Sequence, residues 1–161
     1  MTGKAGPAEP LIKCSLTTKS TKKNHKEHKG NTFNDRSGMN KEDIFKKILD
    51  CSFKIHSALG PGLLESAYEE CLYYELVNLG FKVGKQKPMP LVYEKVKLDA
   101  GYRVDLMVED LIVIEIKSVE SLSDVHMAQI LTYLKLSGCK LGLLINFNVY
   151  HLKDGIKRVV M

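Results

Sequence analysis

Two short segments read as buried β-strands, and after Arg103 near the start of the first they contain three charged residues: Asp105 in residues 102–108, and Glu115 and Lys117 in residues 112–117. A charge inside a buried strand costs free energy unless it is paired or has a functional role. Two carboxylates and an ammonium on one rigid face would form a site for a hard cation such as Mg²⁺. The lysine would then orient or activate a water molecule, or stabilise charge on a phosphate.

The spacing predicts a β-hairpin in which these charges meet. Side chains alternate between the two faces of a strand, so the sequence predicts one apolar face made of Val104, Leu106, Val108, Ile112, Ile114 and Ile116. For both strands to share that face, Val108 must pair with Ile112 across a three-residue turn. The same register places Asp105 opposite Glu115, with Cβ atoms ~5 Å apart, and Lys117 beside them. Two carboxylates this close repel each other unless a cation lies between them.

Two other interpretations of these three residues need no catalysis. In one, they form a solvated outer face with a cross-strand ion pair. In the other, they form a buried ion network that serves fold specificity alone. Under this second interpretation, replacing Lys117 by Ala should unfold the domain.

The composition is that of one globular domain in a reducing compartment. The chain has 161 residues, of which 44% are hydrophobic, and no apolar run long enough to span a bilayer. No export signal is expected. The four cysteines, Cys14, Cys51, Cys71 and Cys139, show no C-x-x-C spacing. They are therefore expected to be reduced thiols that mostly fill the core, which predicts a cytoplasmic location for the protein. A zinc site made of Cys14, His25 and His28 matches no established ligand spacing.

The excess positive charge lies near the N-terminus. Residues 1–40 hold eight Lys or Arg and three acidic residues, whereas the rest of the chain holds sixteen of each, so the net charge of +5 belongs to the first segment. Residues 1–38 are polar and lack apolar periodicity, which predicts a disordered tail before a domain at 39–161. The tail can be interpreted as a cationic arm for nucleic acid, as a solvated extension without a role, or as the product of a start codon assigned upstream of Met39.

Apolar periodicity and boundary residues predict the elements around the hairpin. Helices are expected at about 41–59 and 61–79, with Asn40 and Pro61 at their N-termini, and from about 121–124 to 138. Strands are expected at 81–85, 91–97 and 141–145, followed by a C-terminal hairpin of 149–152 and 156–160. This order predicts an α/β (α+β) protein with a central mixed β-sheet flanked by helices, in which the strand at 141–145 runs parallel to an earlier one.

Three further residues are candidates for the same site. Glu65 lies in the first turn of the second helix, after the break at Gly60-Pro61-Gly62, although the helix dipole alone favours an acid there. Gln129 and Tyr133 are four residues apart, and therefore share one face of the third helix. They can hydrogen-bond a water, a carboxylate or a phosphate, and an ordinary polar helix face is the alternative.

These residues resemble a known nuclease superfamily. Asp105, the segment 115–117 and the Gln129-to-Tyr133 element resemble the PD-(D/E)XK nuclease superfamily, and the Q-x-x-x-Y spacing is similar to its RecB-like branch. Residues 62–68 match the G-x-x-E-x-x-Y signature of the GxxExxY protein family. The likeness spans residues 41–161, with Val104 standing where the superfamily has a proline before its Asp.

The resemblance implies a restriction-endonuclease-like core of αβββαβ order and the activity of a divalent-metal-dependent nuclease. It implies that Glu65, Asp105 and Glu115 are the ligands of Mg²⁺ (or Mn²⁺) and that Lys117 is the catalytic lysine. It also implies that Gln129 and Tyr133 are a supporting catalytic pair. The implied substrate is nucleic acid, DNA before RNA, and a homodimer or a protein partner stays open. The alternative is a non-catalytic nucleic-acid-binding or accessory module that keeps the fold while a partner supplies the chemistry.

Overall fold

The structure is a computed structural model that describes residues 39–98 and 101–161. The predicted tail at residues 1–38, and with it the zinc alternative of Cys14, His25 and His28, lies outside the described residues. In the two described ranges, no helix combines the length and apolar character needed to cross a membrane.

The described part of the chain contains helices and strands in the alternation that the sequence predicts. The helices are α1 (Lys41–Leu59), α2 (Glu65–Asn78) and α3 (Asp124–Ser137), with a short 3₁₀ helix at Leu152–Gly155. The strands are β1 (Val83–Pro88), β2 (Leu91–Tyr93), β3 (Val96–Leu98), β4 (Arg103–Val108), β5 (Ile112–Lys117), β6 (Leu141–Asn146) and β7 (Ile156–Val160).

Five of these strands form one central sheet in the order β1-β4-β5-β6-β7. β5 and β6 run parallel, and the other neighbouring pairs are antiparallel. The predicted mixed sheet and the predicted αβββαβ order are confirmed, since α2, β1, β4, β5, α3 and β6 follow each other in the core. β2 and β3 pair with each other and form a separate two-stranded ribbon.

The central sheet is covered on both faces. One face packs against α1 and α2 in a cluster that includes Ile48, Leu72, Leu106, Ile114 and Ile116. The other packs against α3 in a cluster that includes Met107, Val113, Ile130, Leu134 and Leu144. Burying one such side chain contributes ~1.5–3 kcal/mol. β5 and β6 are buried along their whole length, so the positions of the two charged residues on β5 are fixed by the packed core.

The turn between α1 and α2 differs from the prediction. α1 begins as expected, with the Asn40 side chain accepting a hydrogen bond from the Asp43 N–H at 3.0 Å. α2 begins at Glu65, however, rather than at Pro61. The preceding loop is tied down by Tyr68, whose hydroxyl donates to the Gly60 carbonyl at 2.7 Å. Glu65 is therefore the first residue of its helix.

Two strand predictions are wrong in detail. Residues 91–97 form the β2–β3 hairpin rather than one strand, because Glu94 adopts a positive φ of 52° and turns the chain. Residues 149–152 do not form a strand. The Val149 carbonyl lies 2.8 Å from His56 Nε2 of α1, and the buried Leu152 begins the 3₁₀ helix that leads into β7.

The described cysteines are free thiols: Cys51, Cys71 and Cys139. Cys51 is buried in the cluster beneath α1 and α2, and Cys71 packs against it. Cys139 is buried in the cluster beneath α3. These three fill the core as predicted, and Cys14 lies outside the described residues.

Candidate active site

The β4–β5 hairpin carries three of the predicted site residues. Val108 pairs with Ile112, so the predicted register is confirmed. The regular pairing ends just before Asp105 would meet Glu115. There a side chain takes the place of a backbone acceptor on β4: Asp105 Oδ2 accepts a hydrogen bond from the Ile116 N–H at 2.8 Å. The Asp105 side chain therefore lies toward β5.

β4 is also distorted on the side of β1. Gln86, which stands opposite Asp105, has a φ of 49°, and the β1–β4 pairing skips these two residues. A positive φ is uncommon for a residue with a side chain. Beyond this point Val104 packs with Met107 on the α3 side of the sheet, so the prediction that it shares a face with Leu106 is wrong.

Glu115 and Lys117 form an ion pair in the interior. Lys117 Nζ lies 2.7 Å from Glu115 Oε1, and the Glu115 side chain is only 2% exposed. Glu115 Oε2 is the one buried side-chain polar atom of the described residues that has no hydrogen-bond partner. Leaving a charged oxygen buried and unpaired costs free energy, so this atom is the strongest sign that the site holds a cation or a proton.

Burial makes Glu115 hard to ionise. It raises the pKa of Glu115 to about 7, and the charges of Asp105 and Glu65 act in the same direction. The hydrogen bond from Lys117 and its charge oppose the shift without cancelling it. Glu115 therefore changes its charge near neutral pH unless a cation occupies the site.

The two neighbours of Glu115 respond to the same environment. Burial raises the pKa of Asp105, although the hydrogen bond from Ile116 and the charge of Lys117 work against it. Burial lowers the pKa of Lys117, but its hydrogen bond to Glu115 and the nearby carboxylates outweigh that effect and raise it overall. The site is thus a carboxylate cluster with a lysine that stays protonated.

Glu65 lies at the edge of this cluster. Its Oε1 accepts a hydrogen bond from the Ser118 N–H at 3.0 Å, directly after Lys117. Ser118 Oγ in turn donates to the Leu63 carbonyl at 2.6 Å. Glu65 is exposed and faces an open cleft of about 630 Å³. It joins the N-terminus of α2 to the end of β5, within electrostatic range of Asp105 and Glu115.

Gln129 and Tyr133 form a separate pair on α3. Gln129 Nε2 donates to the Tyr133 hydroxyl at 2.9 Å, so they share a helix face as predicted. They line a cleft of about 450 Å³ together with Tyr102. Within the part of the chain that is described, no hydrogen bond links either side chain to Asp105, Glu115 or Lys117.

Sequence reasoning missed a second carboxylate on α2. Glu69 is 8% exposed, and its Oε2 accepts a hydrogen bond from Gln86 Nε2 at 2.7 Å. The same Gln86 atom lies 3.3 Å from Asp105 Oδ1, so one amide bridges the two carboxylates. Burial raises the pKa of Glu69. The i, i+4 spacing from Glu65 signals a shared helix face, whereas the position of Gln86 depends on a backbone distortion that no sequence pattern reports.

Asn146 holds the chain that follows Lys117. It is the partner of Lys117 in the parallel β5–β6 ladder and is 1% exposed. Its Nδ2 donates to the Val119 carbonyl at 2.8 Å, and its Oδ1 accepts from the N–H groups of Val119 and Asn148 at 3.1 and 3.2 Å. A buried amide that satisfies three backbone groups fixes the end of β5.

The donor set fits a hard divalent cation. In residues 39–98 and 101–161, no three His, Cys, Asp or Glu side chains stand close enough to hold a metal ion in their present positions. Glu115 nevertheless offers an unpartnered oxygen, and Asp105 and Glu65 place negative charge next to it. Carboxylate oxygens without nitrogen or sulfur donors suit Mg²⁺ or Mn²⁺.

The comparison with protein families identifies a superfamily. A family model described as the PD-(D/E)XK nuclease superfamily matches residues 42–159, from α1 to β7. No curated protein and no solved structure matches the chain. The match confirms the predicted superfamily and the restriction-endonuclease-like core. The likeness to the RecB-like branch and to the GxxExxY family stays a prediction.

Proposed function

Because the chain belongs to the PD-(D/E)XK nuclease superfamily, we propose that it is a divalent-metal-dependent nuclease that hydrolyses phosphodiester bonds of DNA or RNA. The observation that carries this proposal is the unpartnered Glu115 Oε2, buried beside Asp105 and Lys117. A purely structural ion network would be expected to satisfy both oxygens of its buried carboxylate. An open acceptor surrounded by negative charge is what a metal ligand needs.

Asp105 and Glu115 would hold Mg²⁺ or Mn²⁺, with Glu65 contributing from the cleft side. The metal would supply Lewis-acid stabilisation of the scissile phosphate and a water of lowered pKa. Asp105 is suited to this role because its Oδ2 is held by Ile116, which leaves Oδ1 with a single long contact to Gln86. Glu115 would exchange its proton for the cation.

Lys117 would position the attacking water. Its ammonium is fixed by Glu115 and remains charged, so it can donate a hydrogen bond to the water or stabilise negative charge on the phosphate. Gln129 and Tyr133 would support the substrate from α3, since their cleft is open and polar groups line it. They are assigned no proton transfer.

Cleavage assays test this proposal. Labelled single- and double-stranded DNA and RNA are incubated with the purified full chain in Mg²⁺, Mn²⁺ or EDTA. We expect metal-dependent cutting that falls at least about 100-fold in each of Asp105→Asn, Glu115→Gln and Lys117→Met. Lys157→Met, an exposed lysine on β7, is the matched control and should retain full activity.

The assay also separates the enzyme from its main alternative. Binding of nucleic acid without cutting in any metal, together with no heat of Mg²⁺ or Mn²⁺ binding in calorimetry, would identify a non-catalytic accessory module. Cutting that survives all three substitutions would place the chemistry elsewhere. Thermal unfolding of each variant shows whether a loss of activity reflects a loss of fold.

A further inference from the structure

The β2–β3 ribbon is an insertion next to the candidate site. It leaves β1 after Pro88 and returns to β4 at Arg103, which pairs with Pro88. A hydrogen bond of 2.8 Å from the Met89 N–H to the Tyr102 carbonyl closes its base. Because Arg103 stands two residues before Asp105, the base of the ribbon adjoins the strand that carries a candidate metal ligand.

The ribbon exposes apolar and aromatic side chains. Its register pairs Tyr93 with Val96 and Leu91 with Leu98, so these four share one face. Tyr93 is 69% exposed, Val96 53% and Leu98 47%. A two-stranded ribbon is only marginally stable in water, and an apolar face left open on a protruding element indicates a binding surface.

Its cations are unpaired. Lys95, Lys97 and Arg103 are exposed, and none of them forms an ion pair with any described residue. By contrast, Lys85 and Lys87 on the adjoining β1 are neutralised by Glu70 and Asp110. Residues 89–103 hold these three cations and two acidic residues, Glu94 and Asp99, so the net charge of the segment is +1. Its unpaired cations are available to a polyanion.

A cleft opens at the base of the ribbon. It measures about 450 Å³ and lies between the start of β4 and α3, with Tyr102, Gln129 and Tyr133 among its lining residues. Tyr102 is 40% exposed. An aromatic ring with an amide and a hydroxyl around it suits a nucleobase, which stacks on its faces and hydrogen-bonds at its edges.

We propose that the ribbon and this cleft bind a single-stranded segment of nucleic acid and lead it to the candidate active site. This inference rests on the proposed function and names its substrate class. Bases stack on Tyr93 and Tyr102, and phosphates contact Lys95 in the turn and Arg103 at the base. Lys97, which pairs with Val92 on the opposite face of the ribbon, adds positive charge across its edge. Stacking on exposed aromatics beside a basic track is how proteins hold single strands without reading their sequence. Two copies of the ribbon would instead bring like charges together.

Binding measurements on the full chain test the inference. Fluorescence anisotropy with labelled single-stranded DNA, single-stranded RNA and duplex DNA is measured in EDTA, where no cleavage occurs. We expect Lys95→Gln/Lys97→Gln to raise the Kd for single strands about tenfold at low salt and to make the slope of log Kd against log salt shallower by about 1.4. Lys153→Gln/Lys157→Gln removes the same charge from β7, the edge strand opposite β1, and from the 3₁₀ helix that precedes it. It should change the Kd less than about twofold.

Aromatic variants test the stacking. Tyr93→Ala and Tyr102→Ala should each raise the single-strand Kd about tenfold, whereas Tyr93→Phe and Tyr102→Phe keep the ring and should stay within about twofold. Thermal unfolding checks that each variant is folded.

Several outcomes overturn the inference. One is a single-strand Kd that the ribbon variants leave unchanged, and another is a ribbon-dependent preference for duplex over single strands. A third is a dimer, seen by light scattering, that the ribbon variants convert to monomer while the Kd stays unchanged. Failure of the nuclease proposal is distinguishable. Ribbon-dependent binding without cleavage supports this inference and contradicts the nuclease, and cleavage with ribbon-independent binding does the reverse.

Discussion

Asp105 Oδ2 accepts a hydrogen bond from the N–H of Ile116 at 2.8 Å, and Ile116 is the residue between Glu115 and Lys117. One oxygen of the carboxylate therefore fixes the strand that carries the other two charges. The second oxygen has only the contact of 3.3 Å to Gln86. Asp105 thus has one oxygen with a structural role and one whose contact to Gln86 is long, and substitutions can separate the two roles.

Asp105→Asn should keep the fold and lose the metal. An amide oxygen can still accept from Ile116, so we expect the free energy of unfolding to change by less than about 1 kcal/mol, whereas Asp105→Ala leaves that N–H unpaired and costs about 1–3 kcal/mol. Both should weaken Mn²⁺ binding. Urea unfolding and calorimetry measure the two effects. Equal destabilisation by Asp105→Asn and Asp105→Ala would show that the hydrogen bond from Ile116 does not stabilise the fold.

The metal-free protein should lose stability as pH rises toward neutral. The pKa of Glu115 is about 7 in the folded state, above its ordinary value of 4.5, so the native state holds a proton that the unfolded state releases. The contribution is fully present below about pH 4.5 and is lost as pH rises through about 7, by up to about 3 kcal/mol. Urea unfolding in EDTA from pH 4.5 to 8 measures it.

Glu115→Gln is the control for that titration. The amide does not ionise, so the fall in stability between pH 5 and 8 should become shallower by the amount that Glu115 contributes. Added Mn²⁺ should oppose the fall in the unsubstituted chain by binding the ionised carboxylate. An unchanged pH profile in Glu115→Gln would mean that another group titrates.

The sequence was sufficient to predict the hairpin that carries the site. Alternating apolar residues in two short strands leave one register in which both bury the same face, and that register placed Val108 opposite Ile112, as found. A parallel partner for β6 was likewise predictable, because β6 is apolar at nearly every position and must be covered on both faces. That this partner is β5 was not predicted.

The sequence could not predict how the site departs from regular structure. Asp105 bonds to a neighbouring backbone N–H instead of standing on a strand face, and Gln86 adopts a positive φ that lets it bridge Asp105 and Glu69. Both depend on tertiary contacts that outweigh local preference. The ribbon was missed for a similar reason, since the turn at Glu94 carries no glycine.

Asn146→Ala should loosen the end of β5. Its side chain satisfies the N–H and the carbonyl of Val119 in a buried position, and leaving these groups unpaired costs about 1–3 kcal/mol. Asn146→Asp would bury a carboxylate oxygen against the Val119 carbonyl, so near neutral pH it should cost at least as much as Asn146→Ala. Hydrogen exchange at Val119 reports the local effect. Unaltered protection there in Asn146→Ala would contradict the assigned role.

Lys117→Met distinguishes a catalytic lysine from a structural one. Near pH 6 Glu115 holds a proton, so the substitution leaves no unpaired charge, and we expect a folded but inactive protein. Without Lys117 the pKa of Glu115 rises further, so at pH 8 the buried side chain keeps a proton that the unfolded chain releases, and the cost of the substitution should rise by about 1 kcal/mol relative to pH 6. Circular dichroism during urea unfolding at the two pH values measures this.

The double variant Glu115→Gln/Lys117→Met completes the Lys117 test. With both charges removed, we expect stability at pH 8 to recover relative to Lys117→Met, because no buried side chain then has to keep a proton at that pH, while cleavage stays absent. If Lys117→Met unfolds the domain at both pH values and the double variant restores the fold together with activity, the pair serves the fold and the chemistry lies elsewhere. Recovery of stability without activity, together with a folded but inactive Lys117→Met at pH 6, assigns Lys117 to the reaction.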